Sequence, residues 1–366
     1  MRYVAGAVGP AEGAYDADVI ILAMERVDET LAAIASALAQ IKVSHHLTIL
    51  DQGSRPETLL RFSDAIQGRR DATLLCSDHN LGVAEGRNRA TAWGHGRVIA
   101  ALDNDAEFAT PDTLARMVAV LDATPNLAAI ACRIVRFDTG NDDLTSWGYP
   151  PALLPQAAST FPSVTFVGAG HAIRRSAWYS AGGYDPILFF CWEELDFCLR
   201  AIALGWHVTY RGDLVIRHKV SAEQRVAWSG TRWFHFVRNR LYIGRKHGDS
   251  WLALVPRMVG YVLKGARNGL LAQSLRAIPA AMRLTGNIYP RALPPAARAY
   301  LQRHDAAHRE SWGCRWRSEI LARLTPATHS RTTCIIPTGV KIDSPPPLAV
   351  AVSRAGTAPA APYRSP

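Results

Sequence analysis

Cysteine is sparse and scattered in this chain of 366 residues: Cys76, Cys132, Cys191, Cys198, Cys314 and Cys334 never fall in CxxC spacing. That pattern argues against a zinc knuckle and against a disulfide-stapled secreted scaffold, and it fits a reducing cytoplasm. Long apolar runs are missing as well. No stretch of about 18 apolar residues occurs, so a membrane-spanning helix is not expected. The start, MRYVAGAVGPAEGAYDAD, has no cationic segment followed by a long apolar one, so no signal peptide is visible. Internal repeats are absent too. What remains is the composition of an ordinary folded protein, 48% apolar and 20% charged, long enough for one large domain or two smaller ones.

The net charge of +10 conceals a division. Residues 1–206 hold 16 Lys+Arg against 24 Asp+Glu, whereas residues 207–332 hold 22 against 6. An acidic half built around a site and a basic half facing something anionic are expected, with nucleic acid, a membrane surface or a phosphorylated ligand as the classes to consider.

Short apolar runs alternate with helical patterns along the first part. Strands are expected at Val19–Leu22, Leu47–Leu50, Ala72–Cys76, Val98–Leu102 and Leu127–Val135. Helices are expected at Thr30–Gln40, from Pro56, at Ala84–Trp93 and after Thr110-Pro111-Asp112. This rhythm predicts an α/β fold with a mainly parallel sheet covered by helices, in which ligands gather beyond the carboxyl ends of the strands. Asp51 and Asp103 stand at two such ends. Further on, Glu193–Leu204 reads as a helix and Trp206–Tyr210 as a strand. From Ser221 to Lys246 and from Trp251 to about Arg283 the pattern is helical and basic. The tail from about residue 325, rich in Pro, Ala, Ser and Thr, is expected to be disordered.

Four constellations could carry chemistry. In ALDNDAEF, Asp103 and Asp105 lie two apart at a strand end, where both carboxylates can reach one hard cation; a solvated acidic turn is the plain alternative. In CWEELDF, Glu193, Glu194 and Asp196 open a helix whose dipole they complement, yet Trp192, Leu195 and Phe197 imply partial burial, which raises a carboxylate's pKa and suits a general base. His218 follows the strand-like Leu214-Val215-Ile216 and is either an ordinary polar residue or a ligand. The loop NLGVAEGRN, with Gly82 and Arg87, enters a helix and could present backbone N–H groups and a guanidinium to phosphate, although a helix-entry turn explains it equally well.

In order, DQGS, NLGVAEGRNRA, DNDAEF and GAGHAIRRSAWYSAGGYDPILFFCWEELDFCLRAIALGWHV, with His218 beyond, resemble the family 2 glycosyltransferases over roughly residues 18–247. The resemblance implies a GT-A fold, Rossmann-like with a C-terminal helical extension. It implies an inverting hexosyl or deoxyhexosyl transfer from a UDP-, dTDP- or GDP-linked sugar to a saccharide, lipid-linked or small-molecule acceptor, and similarity to rhamnosyl- and galactofuranosyltransferase-like members. By position, Glu194 is the catalytic base. Ala23, Glu25, Asp51, Gly82, Arg87, Asp103, Asn104, Asp105 and Gly170 bind the nucleotide sugar. Trp192, Glu193 and Asp196 bind acceptor, and Asp103, Asp105 and His218 hold Mg²⁺ or Mn²⁺. Glu107 is assigned an outer or solvated place. Two departures stand out: Glu25 replaces the usual Asn near the nucleoside, and the second acid of the family's "ED" pair is Glu194 instead of the commoner Asp.

The expected organisation is an N-terminal segment at 1–17, the glycosyltransferase domain at 18–247, a basic helical extension at 248–324 and the tail at 325–366. Cytoplasmic localisation is expected, with a peripheral contact at the inner face of the membrane allowed by Trp251, Leu252, Leu254, Val255, Met258, Val259 and Val262, bordered by Arg257, Lys264 and Arg267. Nucleic-acid binding by the basic half is the reading from another class. It is disfavoured because the aromatic and basic residues of TRWFHFVR recur at helical spacing. A non-catalytic family member is the third reading, and the intact Asp103, Asp105, Glu194 and His218 count against it.

Overall fold

The computed structural model describes residues 1–10, 13–219, 230–286, 288–311 and 313–314. The expected tail at 325–366 and the first residues of the helix expected from Ser221 lie outside them. Among the described residues, ten strands and ten α-helices follow in chain order: β1 (Arg2–Gly6), β2 (Ala17–Ala23), α1 (Val27–Leu38), β3 (His45–Gln52), α2 (Pro56–Ile66), β4 (Ala72–Ser77), α3 (Gly82–Thr91), β5 (Val98–Asp103), β6 (Ala106–Phe108) and α4 (Thr113–Ala123). Then come β7 (Leu127–Arg136), β8 (Thr160–Ser163), β9 (Gly170–Arg174), α5 (Arg175–Ala181), α6 (Glu193–Ala203), β10 (His207–His218), α7 (Gly230–Lys246), α8 (Trp251–Arg267), α9 (Leu271–Thr285) and α10 (Pro295–His304).

All ten strands join one sheet in the order β1-β4-β3-β2-β5-β9-β7-β10-β6, with β8 also on β10. The run β4-β3-β2-β5 is parallel, as the alternation of strands and helices predicts, because each crossover helix returns the chain to the same end. Successive side chains of a strand point to opposite faces, and here both faces are covered. Val19, Ile21, Leu47 and Ile49 pack beneath α1 and α2 with Phe62, whereas Ile20, Leu50 and Ile99 face Trp178 and Phe197 on the other side.

Three features go beyond the expectation. Strand β1, within the segment expected merely to precede the domain, adds an antiparallel edge on β4. The antiparallel strand β9 sits between β5 and β7, so the sheet is mixed. The strands expected at 206–210 and 214–216 are one continuous β10, which carries His218 at its end. Helix α7 shares a core with α8 and α9 (Trp233, Val237, Leu241, Leu254, Ala277 and Ala281) and docks on α6 through Leu188, Leu199, Tyr242 and Ile243. The described residues form one compact unit.

Candidate active site

Parallel pairing sets Ala23 against Asp51 and Leu22 against Asp103, so the ends of β2, β3 and β5 share one edge of the sheet. After Asp103 the chain turns through Asn104-Asp105 into β6, whose antiparallel register on β10 places Ala106 opposite His218. That register closes a gap of more than a hundred residues. The Nε2 of His218 comes to 3.3 Å from Asp105 Oδ1. On the other side of the ring, Nδ1–H donates to Asp143 Oδ2 at 3.0 Å. A carboxylate behind an imidazole fixes which nitrogen faces forward, and here it is Nε2 towards Asp105. Asp105 is also paired with Arg26. Burial opposes its ionisation, but the bond from His218 and the Arg26 charge hold its carboxyl below the usual range.

Arg26 reaches Asp105 because the turn after β2 takes two successive residues, Glu25 (φ 54°) and Arg26 (φ 51°), into the left-handed region. Each such non-glycine residue costs on the order of 1 kcal/mol and needs outside support. Glu25 supplies it: its N–H donates to Ser54 Oγ at 2.7 Å, and its carboxylate accepts from Arg55 N at 2.9 Å and Thr58 Oγ1 at 2.8 Å.

Arg87, on the first turns of α3, is buried at the centre of the site. Its Nη2 donates to Asp103 Oδ1 and to the Gly168 carbonyl, both at 2.8 Å. Its Nη1 makes no hydrogen bond among the described residues and lies 3.6 Å from Glu194 Oε1. Burial alone would make the guanidinium easier to deprotonate, but the charge of Asp103, with smaller contributions from Tyr184, Glu194 and Glu193, pushes its pKa up instead. Gly168 also lies close to Glu194: a Cβ there would stand 2.6 Å from Oε1.

Glu193 and Glu194 open α6 after a loop in which Phe189, Cys191 and Trp192 all have positive φ (58°, 72° and 73°). The buried Asn239 of α7 holds that loop, its amide donating to the carbonyls of Leu188, Phe190 and Cys191 at 2.7–2.9 Å. Burial raises the proton affinity of both glutamates. Glu194 adds its own charge to the burden on Glu193, while Arg87 partly offsets burial at Glu194. A carboxylate so placed binds a proton more tightly than one in water, which is what a general base requires.

Residues 18–181 match the family model described as Glycosyl transferase family 2. This stretch is a family 2 glycosyltransferase domain. Glu193, Glu194 and His218 lie beyond the matched residues. The chain is 24% identical over 326 residues, 83% of its length, to the O-antigen biosynthesis protein RfbC of Myxococcus xanthus, of which the match covers 25%. It is 30% identical over 117 residues, 32% of its length, to the glucosyl-dolichyl phosphate glucuronosyltransferase of Haloferax volcanii, of which the match covers 37%. The matches thus span only 25% and 37% of these relatives. Two solved glycosyltransferases share the GT-A fold. The mannosyltransferase PcManGT from Pyrobaculum calidifontis, in complex with GDP-Man and Mn²⁺, aligns at TM-score 0.50 and 17% identity, covering 86% of this chain and 85% of that one. GalNAc-T7 with UDP, GalNAc and Mn²⁺ aligns at TM-score 0.53 and 16% identity, covering 78% of this chain and 59% of the other.

Several positions read from the sequence sit differently in the structure. Asp196, expected at the acceptor, is fully buried beneath it: Arg200 Nε (2.9 Å), Lys246 Nζ (3.0 Å) and His247 Nε2 (3.1 Å) surround it. Glu193 is also enclosed, and among the described residues its Oε2 has no hydrogen-bond partner. Of the three acceptor positions only Trp192 is partly exposed, its indole N–H donating to the Phe236 carbonyl at 3.1 Å. Asp51 is buried too and spends its oxygens on the turn, accepting from Gly53 N, Ser54 N and Ser54 Oγ.

Gly82 offers no free N–H to a phosphate, because it donates to Asn80 Oδ1 at 2.8 Å. Its left-handed φ of 79° and the Phe189 carbonyl, 2.4 Å from where a Cβ would stand, explain the glycine. Gly170 is buried against Ile216, and Asn104 turns away to donate to Thr30 Oγ1 at 3.1 Å. Ala23 is buried at the end of β2. Glu107 pairs with Lys219 at 2.6 Å. Asp103 faces Arg87 instead of joining Asp105 and His218, and among the described residues no three His, Cys, Asp or Glu side chains form a complete metal shell. Asp143, Arg26 and Asn239 went unread, since nothing in their local sequence marks them.

Proposed function

We propose that this glycosyltransferase domain moves a sugar from a nucleoside-diphosphate sugar to an acceptor hydroxyl with inversion, using Glu194 as base. The observation that carries the reading is Arg87. One buried guanidinium touches Asp103 and approaches Glu194, so the acid of DNDAEF and the acid of WEELDF form one constellation at the carboxyl edge of the sheet. An acceptor hydroxyl is a poor nucleophile until a positioned carboxylate takes its proton. Glu194 is raised in proton affinity, and its carboxylate lies close to Gly168 and to the Arg87 guanidinium.

Mg²⁺ or Mn²⁺ would be held by Asp105 and His218; Asp103, on the same turn, would join them only by turning from its bond with Arg87. The donor set suits such an ion: a carboxylate oxygen and an imidazole nitrogen face each other at 3.3 Å, and hard divalent cations commonly take few protein ligands and complete their shell with phosphate and water. When bound, the ion offsets the charge that grows on the departing diphosphate. Arg26 is a further cation at this edge. The donor sites of PcManGT and GalNAc-T7, which hold GDP-Man and UDP, support a nucleotide-linked donor, and the name of the archaeal relative favours a lipid-linked or glycan acceptor. Asp51, Gly82 and Gly170 act in this reading by shaping the backbone of the donor pocket.

The test is a thermal-shift panel of UDP-, dTDP- and GDP-sugars with Mn²⁺ or Mg²⁺, followed by nucleoside-diphosphate release with the stabilising donor. One donor class should raise the melting temperature in a metal-dependent way. If none does, or if Glu194→Gln releases nucleotide at the native rate with acceptor present, the proposal fails.

A further inference from the structure

The helices beyond the sheet carry a surface that sugar transfer leaves unused. With α7 covering their inner sides, α8 and α9 would be expected to turn polar faces to water. They do not. On α8 the exposed residues include Leu252 (84% exposed), Val255, Val259 and Leu263, whose three- and four-residue spacing sets them on one face with Pro256 and Ala266. On α9, Leu271, Leu275 and Met282 repeat the arrangement beside Pro279. Exposed Arg267, Arg276 and Arg283 stand along the borders. Exposed large apolar side chains elsewhere, such as Leu60, Leu144 and Leu204, are far apart in the chain and form no such stripe.

Charge selects the occupant. Residues 250–304 contain Arg257, Lys264, Arg267, Arg276, Arg283, Arg291, Arg298 and Arg303 and not one Asp or Glu. We propose that the outer face of the α8–α9 hairpin docks on an anionic lipid surface, with Leu252, Val255, Val259, Leu263, Leu275 and Met282 entering the boundary between headgroups and acyl chains while the arginines meet the phosphates. Aliphatic residues bordered by arginine, without acids, are what an interfacial helix presents. A second copy would bring a like-charged face against this one, and a nucleic acid would leave the exposed aliphatic residues without a partner, since stacking on bases calls for aromatic rings. Neither helix is long and apolar enough to cross a bilayer, so both lie along it. The inference differs from that of the sequence in its residues: Leu254 is buried, Trp251 and Met258 pack against the helical core, Val262 is only half-exposed, and Leu263 with the α9 stripe takes their place. It rests on the surface alone and stands whether or not the donor reading does.

Flotation of the full chain with liposomes tests it, comparing phosphatidylcholine vesicles with vesicles that also contain phosphatidylglycerol. Binding is expected only to the second and should weaken as salt rises. Leu252→Glu with Leu275→Glu, and separately Arg267→Glu with Arg276→Glu and Arg283→Glu, should each lower partitioning at least about tenfold, since each surface arginine near an anionic membrane contributes on the order of a few-fold. Circular-dichroism melts matching the native chain establish that the variants fold, and Leu252→Ser with Leu275→Ser gives a milder pair. Failure to float with anionic vesicles, equal binding to neutral ones, or indifference to both sets of substitutions overturns the proposal. So does a concentration-dependent dimer in light scattering that Leu252→Glu abolishes, which would assign the face to a second copy.

Discussion

Glu193 and Asp196 are both buried acids one turn apart on α6, yet their surroundings send them in opposite directions. At Asp196, burial would raise the pKa, but the bond from His247 and the charges of Arg200 and Lys246 outweigh it and keep the carboxylate ionised. At Glu193, burial is reinforced by the negative charge of Glu194, and the guanidinium that offsets it, Arg87, is shared with Asp103. The same helix therefore has a turn in which charge is fully matched and a turn in which it is not. The matched turn anchors α6 to α7, and the unmatched one faces the candidate site. Perturbed carboxyls gather where chemistry occurs because an unmatched charge is costly to keep unless something uses it.

The largest test of this contrast is Glu194→Gln, which should lower turnover by roughly 10²–10⁴-fold while leaving the donor's thermal shift intact. A variant that loses both would make Glu194 a structural acid like Asp196. Next, Asp196→Asn should cost about 3 kcal/mol in urea unfolding, because it leaves Arg200, Lys246 and His247 around an uncharged centre; a loss within experimental error would dissolve the distinction. The contribution of Asp196 is complete above its ordinary pKa of 3.8 and is lost as pH falls below that, since its folded pKa is depressed.

Smaller in size, Asp143→Asn should weaken Mn²⁺ binding by about 10–100-fold in an electron-spin-resonance titration, by freeing the ring of His218. The smallest effect concerns Glu193. Its folded pKa is raised above 4.5, so its ionisation opposes folding progressively as pH rises past that value. Glu193→Gln should therefore gain about 1 kcal/mol at neutral pH, and the gain should vanish near pH 4. A loss of stability at neutral pH would show that the carboxylate is matched after all.

Much of the frame was legible from the sequence because hydrophobic periodicity is local. Strands β2, β3, β4, β5 and β7 and the helices between them lie within a few residues of where the apolar runs place them. The antiparallel members were not legible: β6 has three residues, β8 four, and neither shows a pattern until β10 pairs with it. Site residues divide on similar lines. Asp103, Asp105, Glu194 and His218 could be picked out because acids at a strand end or a helix start break an apolar pattern. What each one touches could not, since Arg26, Arg87, Asp143 and Asn239 reach them across the fold. Asp196 misled for the opposite reason: its partners Arg200, Lys246 and His247 come from α6 and from the end of α7 and the residue after it, about fifty residues on.

Gly168 offers an unusually clean handle on this protein. Its backbone is outside the left-handed region, so an alanine there meets no conformational obstacle of its own. The first atom its methyl would touch is the tip of Glu194, a flexible end that can swing aside at little expense to the fold. One added carbon would thus leave the melting curve almost where it was and move only the proposed base. In an engineer's terms, residue 168 is a set-screw: turned by a single methyl, it adjusts the reach of Glu194 without loosening the machine around it.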